Sequence, residues 1–188
     1  MPVVRVLLIE GYGAQVRRRL GQALTDAVRL VIDAPKDAVI VATEEVAPEN
    51  YMRGGETRQP GRAVADPVEA VQTFLGLMSA RDLAGAQACL APGAEMVFPG
   101  GRRFTALADM VAWGATRYAQ IDKSFEGFDV SMGAAGPVVS CRGTLSGVWT
   151  DGTPFSGIRF TDRFELTAEG LISGQEVWND LGEARAPA

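Results

Sequence analysis

The rhythm of apolar and polar positions changes several times along the chain. Residues 2 to 9 of the opening MPVVRVLLIEG are an almost unbroken apolar run, the pattern of a strand buried on both faces. From Gly13 to about Asp33 the apolar positions, among them Val16, Leu20, Leu24, Val28 and Val31, follow helical spacing. Asp33-Ala34-Pro35 stops that helix, and DAVIVATEEV then predicts a second strand. Strand, helix and strand with short joints make a βαβ unit, whose strands run parallel with a right-handed crossover. A unit ending near Gly55 is too small to cover both faces of its own sheet, so it is expected to pack on copies of itself or on the rest of the chain.

GGETRQPGRAVAD, rich in Gly, Pro and charge, reads as a linker. DPVEAVQTFLGLMSA then starts a new helix, with Asp66 as N-cap, Pro67 in the first helical position and Glu69 completing a capping-box pattern. Val68, Val71, Phe74, Leu75 and Met78 form its buried stripe. A short helix is expected from Asp82 to Leu90, a short strand at AEMVF, and a third helix capped by Thr105 that carries Leu107, Val111, Ala115, Tyr118 and Ile121 on one face. Four successive strands follow: SFEGFDVSM, PVVSCRGTLSGVWT, FSGIRFTDRFEL and LISGQEVWND. Asp151-Gly152 and TAEG are the turn signals between them. Helices followed by a strand meander give an α+β class, in which a curved sheet wrapped on helices leaves a conical cavity. The expected division is a βαβ segment at 1–55, a linker at 56–65, an α+β domain at 66–182 and a tail at 183–188.

Composition narrows the chemistry. The 188 residues are 47% hydrophobic and 22% charged, the balance of a globular protein. With a net charge of -5 and scattered Lys and Arg, no nucleic-acid surface is expected. No apolar run reaches the ~20 residues of a membrane span, and no signal-peptide pattern opens the chain. Cys89 and Cys141 lie far apart, as reduced thiols of a cytoplasmic protein would. There is no histidine, which excludes Ser–His and Cys–His nucleophile systems and His-based metal sites. Acid–base work near neutral pH falls to a shifted carboxyl, Tyr, Lys, a thiol or the terminal amine. No metal or nucleotide cofactor is expected.

The amine is the first candidate. If Met1 is removed, Pro2 presents a secondary amine; an ordinary α-amino group titrates near pH ~7.7–8.0, and an apolar pocket disfavours its charged form. The leading proline with its apolar strand, LIEG, IDAP, TEE and ENYMRGG follow in an order that resembles the 4-oxalocrotonate tautomerase family over Pro2 to Gly55. That resemblance implies a βαβ protomer assembling into trimers or hexamers, with the N-terminal proline as general base on enol or keto acids. The family site also holds two arginines; at the matching positions this chain has Tyr12 and Ile40. Losing the guanidinium forks removes bidentate gripping of a dicarboxylate. Tyr51 as a pocket wall, Arg53 as a displaced positive charge and Tyr12 as a hydrogen-bond donor are the expected substrate-binding residues, with Arg5, Arg17 and Lys36 as further cations. The other reading makes this segment an oligomerising scaffold and Pro2 a strand-initiating residue.

From about Asp66 to Asp180, the order helix, helix, strand, helix and strand meander ending in EVWND resembles the nuclear transport factor 2-like superfamily, which includes ketosteroid isomerase and SnoaL-like polyketide cyclases. Its members span enzymes, ligand binders and interaction modules. In IRFTDRFEL, Ile158, Phe160, Phe164 and Leu166 share a side, and Asp162 falls on that apolar side, where a carboxyl can become an acid–base group or be paired structurally. Trp113, Tyr118, Trp149 and Trp178 are candidate pocket walls, with core packing as the plainer alternative. Phe98 stands roughly where the ketosteroid isomerase pattern has its catalytic Asp. Glu95 is a weak substitute there, and Glu176 and Asp180 are further pocket acids. The leading expectation is cofactor-independent tautomerase or isomerase chemistry on a small carbonyl or enol with Pro2 as base. The alternative places function in the C-terminal cone, as a polyketide-cyclase-like enzyme or hydrophobic small-molecule binder that also offers a dimer contact, while the N-terminal segment assembles the oligomer.

Overall fold

The computed structural model describes residues 1–185, in two compact units, Met1–Ala63 and Val64 onward. In the first, β1 (Val3–Ile9) and β2 (Ile40–Val46) pair in parallel, with Val3 beside Ile40 and Ile9 beside Val46, and α1 (Ala14–Arg29) makes the crossover. The second strand starts later than its apolar pattern suggests. Pro35 accepts from the Ala38 N–H at 3.0 Å, and Lys36–Ala38 form a 3₁₀ turn before the strand begins. The helix likewise ends early, so Val31 lies beyond it and is exposed with Leu30. A further 3₁₀ turn (Pro48–Asn50) leads into a small hairpin, β3 (Met52–Arg53) with β4 (Glu56–Thr57), which takes in the first residues expected to be linker.

The expectation that β1 is buried on both faces does not hold within one protomer. Val4, Val6 and Leu8 are half-buried, whereas Val3 and Leu7 are exposed. No residue of this unit is fully buried. One helix over a two-stranded sheet has only one face to cover, and the second face keeps its apolar side chains in solvent.

The second unit builds an ordinary core. α2 (Pro67–Ser79) is capped by Asp66, whose carboxylate accepts from the Val68 and Glu69 N–H groups. α3 (Leu83–Ala88) is capped by Asp82. β5 (Leu90–Phe98), β6 (Arg102–Phe104), α4 (Leu107–Ala115), β7 (Tyr118–Met132), β8 (Pro137–Trp149), β9 (Pro154–Leu166), β10 (Ile172–Asn179) and α5 (Leu181–Arg185) follow. The sheet runs β6-β5-β10-β9-β8-β7, antiparallel except for the β5–β10 pair. Of the expected tail, Glu183–Arg185 belong to α5, and 186–188 lie outside the described residues. β9 alternates as its sequence requires: Ile158, Phe160, Asp162, Phe164 and Leu166 all face the core. Phe74 of α2 meets Phe164 edge-on at 6.1 Å.

Two details of the third helix are corrected. Thr105 does not cap it; Ala106 holds the N-cap position without a side-chain bond. Nor do Tyr118 and Ile121 extend it. The Thr116 hydroxyl donates to the Trp113 carbonyl at 2.7 Å where the helix stops, and both residues lie on β7. Their three-residue spacing looks helical because a β-bulge at Ala119 shifts the register between Tyr118 and Gln120. One extra residue in a strand turns a period of two into three.

Phe164 is fully buried against α2. Phe164→Ala should therefore destabilise the second unit by about 3–5 kcal/mol, read from urea denaturation of the full chain.

Candidate functional site

At the head of β1, Pro2 is half-buried and its carbonyl accepts from the Ile40 N–H at 3.0 Å. Ile40 thus stands beside Pro2 and makes that end of the sheet apolar. With Met1 present the proline nitrogen is an amide without a basic lone pair, so chemistry there requires its removal. Tyr12 follows the far end of the same strand. Seven extended residues span about 20 Å, so Pro2 and Tyr12 of one protomer cannot touch one small substrate. Tyr51 and Arg53 also lie beyond the C-terminal end of the sheet, after β2, and both are exposed. Around Tyr12 the chain is closely packed. A Cβ on Gly61 would stand 3.4 Å from the Tyr12 hydroxyl, while Arg17 donates to the Tyr12 carbonyl and to Glu45 at 2.9 Å. Arg5 alternates with Val3 and Leu7 on the exposed sheet face.

The second unit holds a cavity of about 230 Å³ between α4, the start of β7 and the end of β5. Phe98, Trp113 and Tyr118, all named from the sequence, line it; Arg81, Met110 and Ile121 were not foreseen. Phe98 and Trp113 meet at 5.4 Å, and Phe104 completes the aromatic cluster. The Arg117 guanidinium lies 4.7 Å from the centre of the Trp113 ring. Gly114 lets α4 approach β7, since a Cβ there would come within 2.9 Å of the Tyr118 hydroxyl. Burial raises the Tyr118 phenol above its ordinary value, against the opposing charges of Arg117 and Arg81. The bulge at Ala119 brings both Tyr118 and Ile121 to the cavity wall.

Further along the core face lies a polar cluster. Asp162 is completely buried, and its Oδ2 accepts from the Lys123 ammonium and from Gln175 Nε2 at 3.3 Å. Among the described residues its Oδ1 has no hydrogen-bond partner. Lys123 lies 4.5 Å from the centre of the Phe160 ring, and Cys141 is the cross-strand neighbour of Asp162. The alternation of IDKSF, which places Lys123 on the face of Ile121, was the signal that could have found it.

Other candidates stand elsewhere. Trp149 is core, packed on Phe155 at 4.5 Å with Arg185 over its ring. Trp178 faces outward and is 51% exposed, because Gln175 and Val177 take the inward positions of β10. Glu176 is an ion-pair partner of Arg163 at 3.3 Å, and Asp180, which with Trp178 lines an open groove of about 240 Å³ on the outer side of β9 and β10, pairs with Arg159 at 2.7 Å. Glu95 pairs with Arg103 across the β5–β6 edge.

The second unit therefore has the architecture of the nuclear transport factor 2-like fold. Solved structures agree. The chain is similar to a nuclear transport factor 2-like protein of unknown function from Burkholderia pseudomallei, with 19% identity and a TM-score of 0.53 over 63% of this chain and 93% of that one. TerC, crystallised with polyporic acid, matches at 18% identity and TM-score 0.53 over 63% and 94%. A protein described as a SnoaL-like polyketide cyclase from Jannaschia matches at 16% and 0.52 over 70% and 99%. Residues 2–58 match the family model for tautomerase enzymes, the segment that forms the βαβ unit. No curated protein matches the sequence. Among the described residues, no helix is long and apolar enough to cross a membrane.

Cys141 gives the cluster a measurable signature. Burial, and then the charge of Asp162, push its thiol from 9.0 up to about 12, against the opposing charge of Lys123. Folding favours the neutral thiol, so its contribution to stability is complete below about pH 9 and is lost as pH rises toward 12. Cys141→Ala should show a shallower loss of stability across that window in paired denaturation curves. At pH 8, alkylation of Cys141 should require denaturant.

Proposed function

We propose that the first unit carries out cofactor-independent tautomerase or isomerase chemistry on a small carbonyl or enol substrate, with Pro2 as general base after loss of Met1. The observation that carries this reading is the tautomerase-family match, which begins at Pro2 and spans the βαβ unit. A neutral secondary amine held rigid by its ring takes a proton from a carbon beside a carbonyl, or from an enol hydroxyl. It returns the proton at the other end of the conjugated system, and no cofactor is consumed. Pro2 is half-buried beside Ile40. Tyr12 and Tyr51 would orient the substrate, and Arg53 would supply the positive charge.

Because β1 separates Pro2 from these three residues within a protomer, a site containing all of them forms between copies. The exposed Val3, Leu7 and Ile40 give the unit the apolar surface for such assembly into trimers or hexamers. Intact mass should show a chain lacking Met1. Pro2→Ala should lower the ketonisation rate of an aryl-substituted enol acid by roughly 10²–10⁴-fold. Equal rates in the two proteins, or a retained Met1, would overturn the mechanism.

A second reading has its own observation, the aromatic cavity beside Trp113. Here the second unit acts as a hydrophobic small-molecule binder or polyketide-cyclase-like enzyme, and the first unit is an assembly scaffold. TerC's crystallisation with polyporic acid supports a small-molecule role for this fold. In that case, Val111→Phe, which fills the cavity, should abolish the thermal shift given by an aromatic ligand while Pro2→Ala leaves it unchanged. A ligand shift that survives Val111→Phe would exclude the cavity.

A further inference from the structure

The cavity has one charged residue among the described residues that line it, Arg81, and the backbone there is unusual. Its φ of 61° is the sole left-handed value among the described non-glycine residues. Arg81 follows the C-cap of α2. Its N–H donates to the Met78 carbonyl at 3.2 Å, and the Asp82 N–H donates to the Leu77 carbonyl at 2.9 Å. That pair of bonds is a Schellman ending, whose left-handed position normally goes to glycine or asparagine because a Cβ is disfavoured there. A strained side chain in such a slot points to a function for that side chain.

The guanidinium has a use in view. One of its N–H groups donates to the Met78 carbonyl at 3.3 Å, leaving further donors of its planar fork. Arg117 stands over the ring of Trp113, one of the cavity's walls. The charges of Arg81 and Arg117 oppose the effect of burial on the Tyr118 phenol. None of the described lining residues is acidic. A positive field in an aromatic-walled pocket selects for anionic ligands.

Size restricts the class further. An apolar cavity of about 150 Å³ holds benzene. At about 230 Å³ this one has room for a single ring and its acid group. We infer that the cavity receives a monocyclic aromatic carboxylate, its ring against Phe98 and Trp113, its acid group at Arg81 and the Tyr118 hydroxyl donating to it. This inference rests on the reading of the cavity as a ligand site.

The test compares benzoate with benzyl alcohol, which has the same ring without the charge, by NMR titration of the full chain. Benzoate should bind at least tenfold more tightly. Arg81→Asn, in which asparagine accepts the left-handed backbone, should remove that advantage and leave benzyl alcohol binding unchanged. Arg81→Lys should keep most of it. 2-Naphthoate should bind more weakly than benzoate. Equal binding of benzoate and benzyl alcohol to the unaltered protein, or equal weakening of both by Arg81→Asn, would overturn the anion assignment while leaving the cavity a ligand site. Tighter binding of 2-naphthoate would overturn the single-ring limit. Absence of binding by all three rings would remove the ligand-site reading and this inference together.

Discussion

Asp162 stands on the core face of β9 between Phe160 and Phe164, and much of the second unit's arrangement follows from keeping a carboxylate there. A buried charge is tolerated only when paired and hydrogen-bonded. Lys123 reaches it from β7 and Gln175 from β10, so that β7, β9 and β10 are tied by one polar cluster on an otherwise apolar surface. For Lys123 to reach inward, the residues at even spacing on its strand must also face inward, which places Ile121 at the cavity wall. The bulge at Ala119 then restores Tyr118 to the same side. The polar cluster and the aromatic cavity are thus consecutive stretches of one strand face.

The two units handle apolar surface differently. The second closes a core around Val71, Phe74, Met96 and Phe164, with helices laid over one face of its sheet. The first has too few layers to do so, and Val3, Leu7 and Ile40 remain on its uncovered face. A protein that keeps such residues exposed invites association, since contiguous apolar surface is costly in water. The same shortage of layers leaves Pro2 only half-buried at the head of β1.

Charge placement separates the two candidate sites. Near Pro2, Ile40 is an apolar neighbour that offers no guanidinium to a carboxylate. Near Tyr118, Arg81 is a cavity-lining guanidinium and Arg117 stands over Trp113.

Much of this was legible from local pattern. The parallel βαβ unit follows from two apolar strands flanking a 3.6-period helix, and the Asp66 cap and the β9 alternation from residue types alone. Asp162 could be placed on the apolar side by counting in twos. Tyr118 and Ile121 could not be placed correctly, because a bulged strand and a helix share the three-residue spacing and only pairing with β8 distinguishes them. Trp149 and Trp178 look alike in sequence, yet one is core and the other solvent-facing, since register on the sheet decides which way each points. Lys123 meets Asp162 across 39 positions of sequence. Arg81 acquires its meaning from a left-handed turn that no neighbouring residue announces. The sequence by itself determined the main helices and strands and their order, and it singled out Pro2 as a candidate. Tertiary structure decided which side chains share a space, because strand register and helix endings are set by long-range pairing and burial.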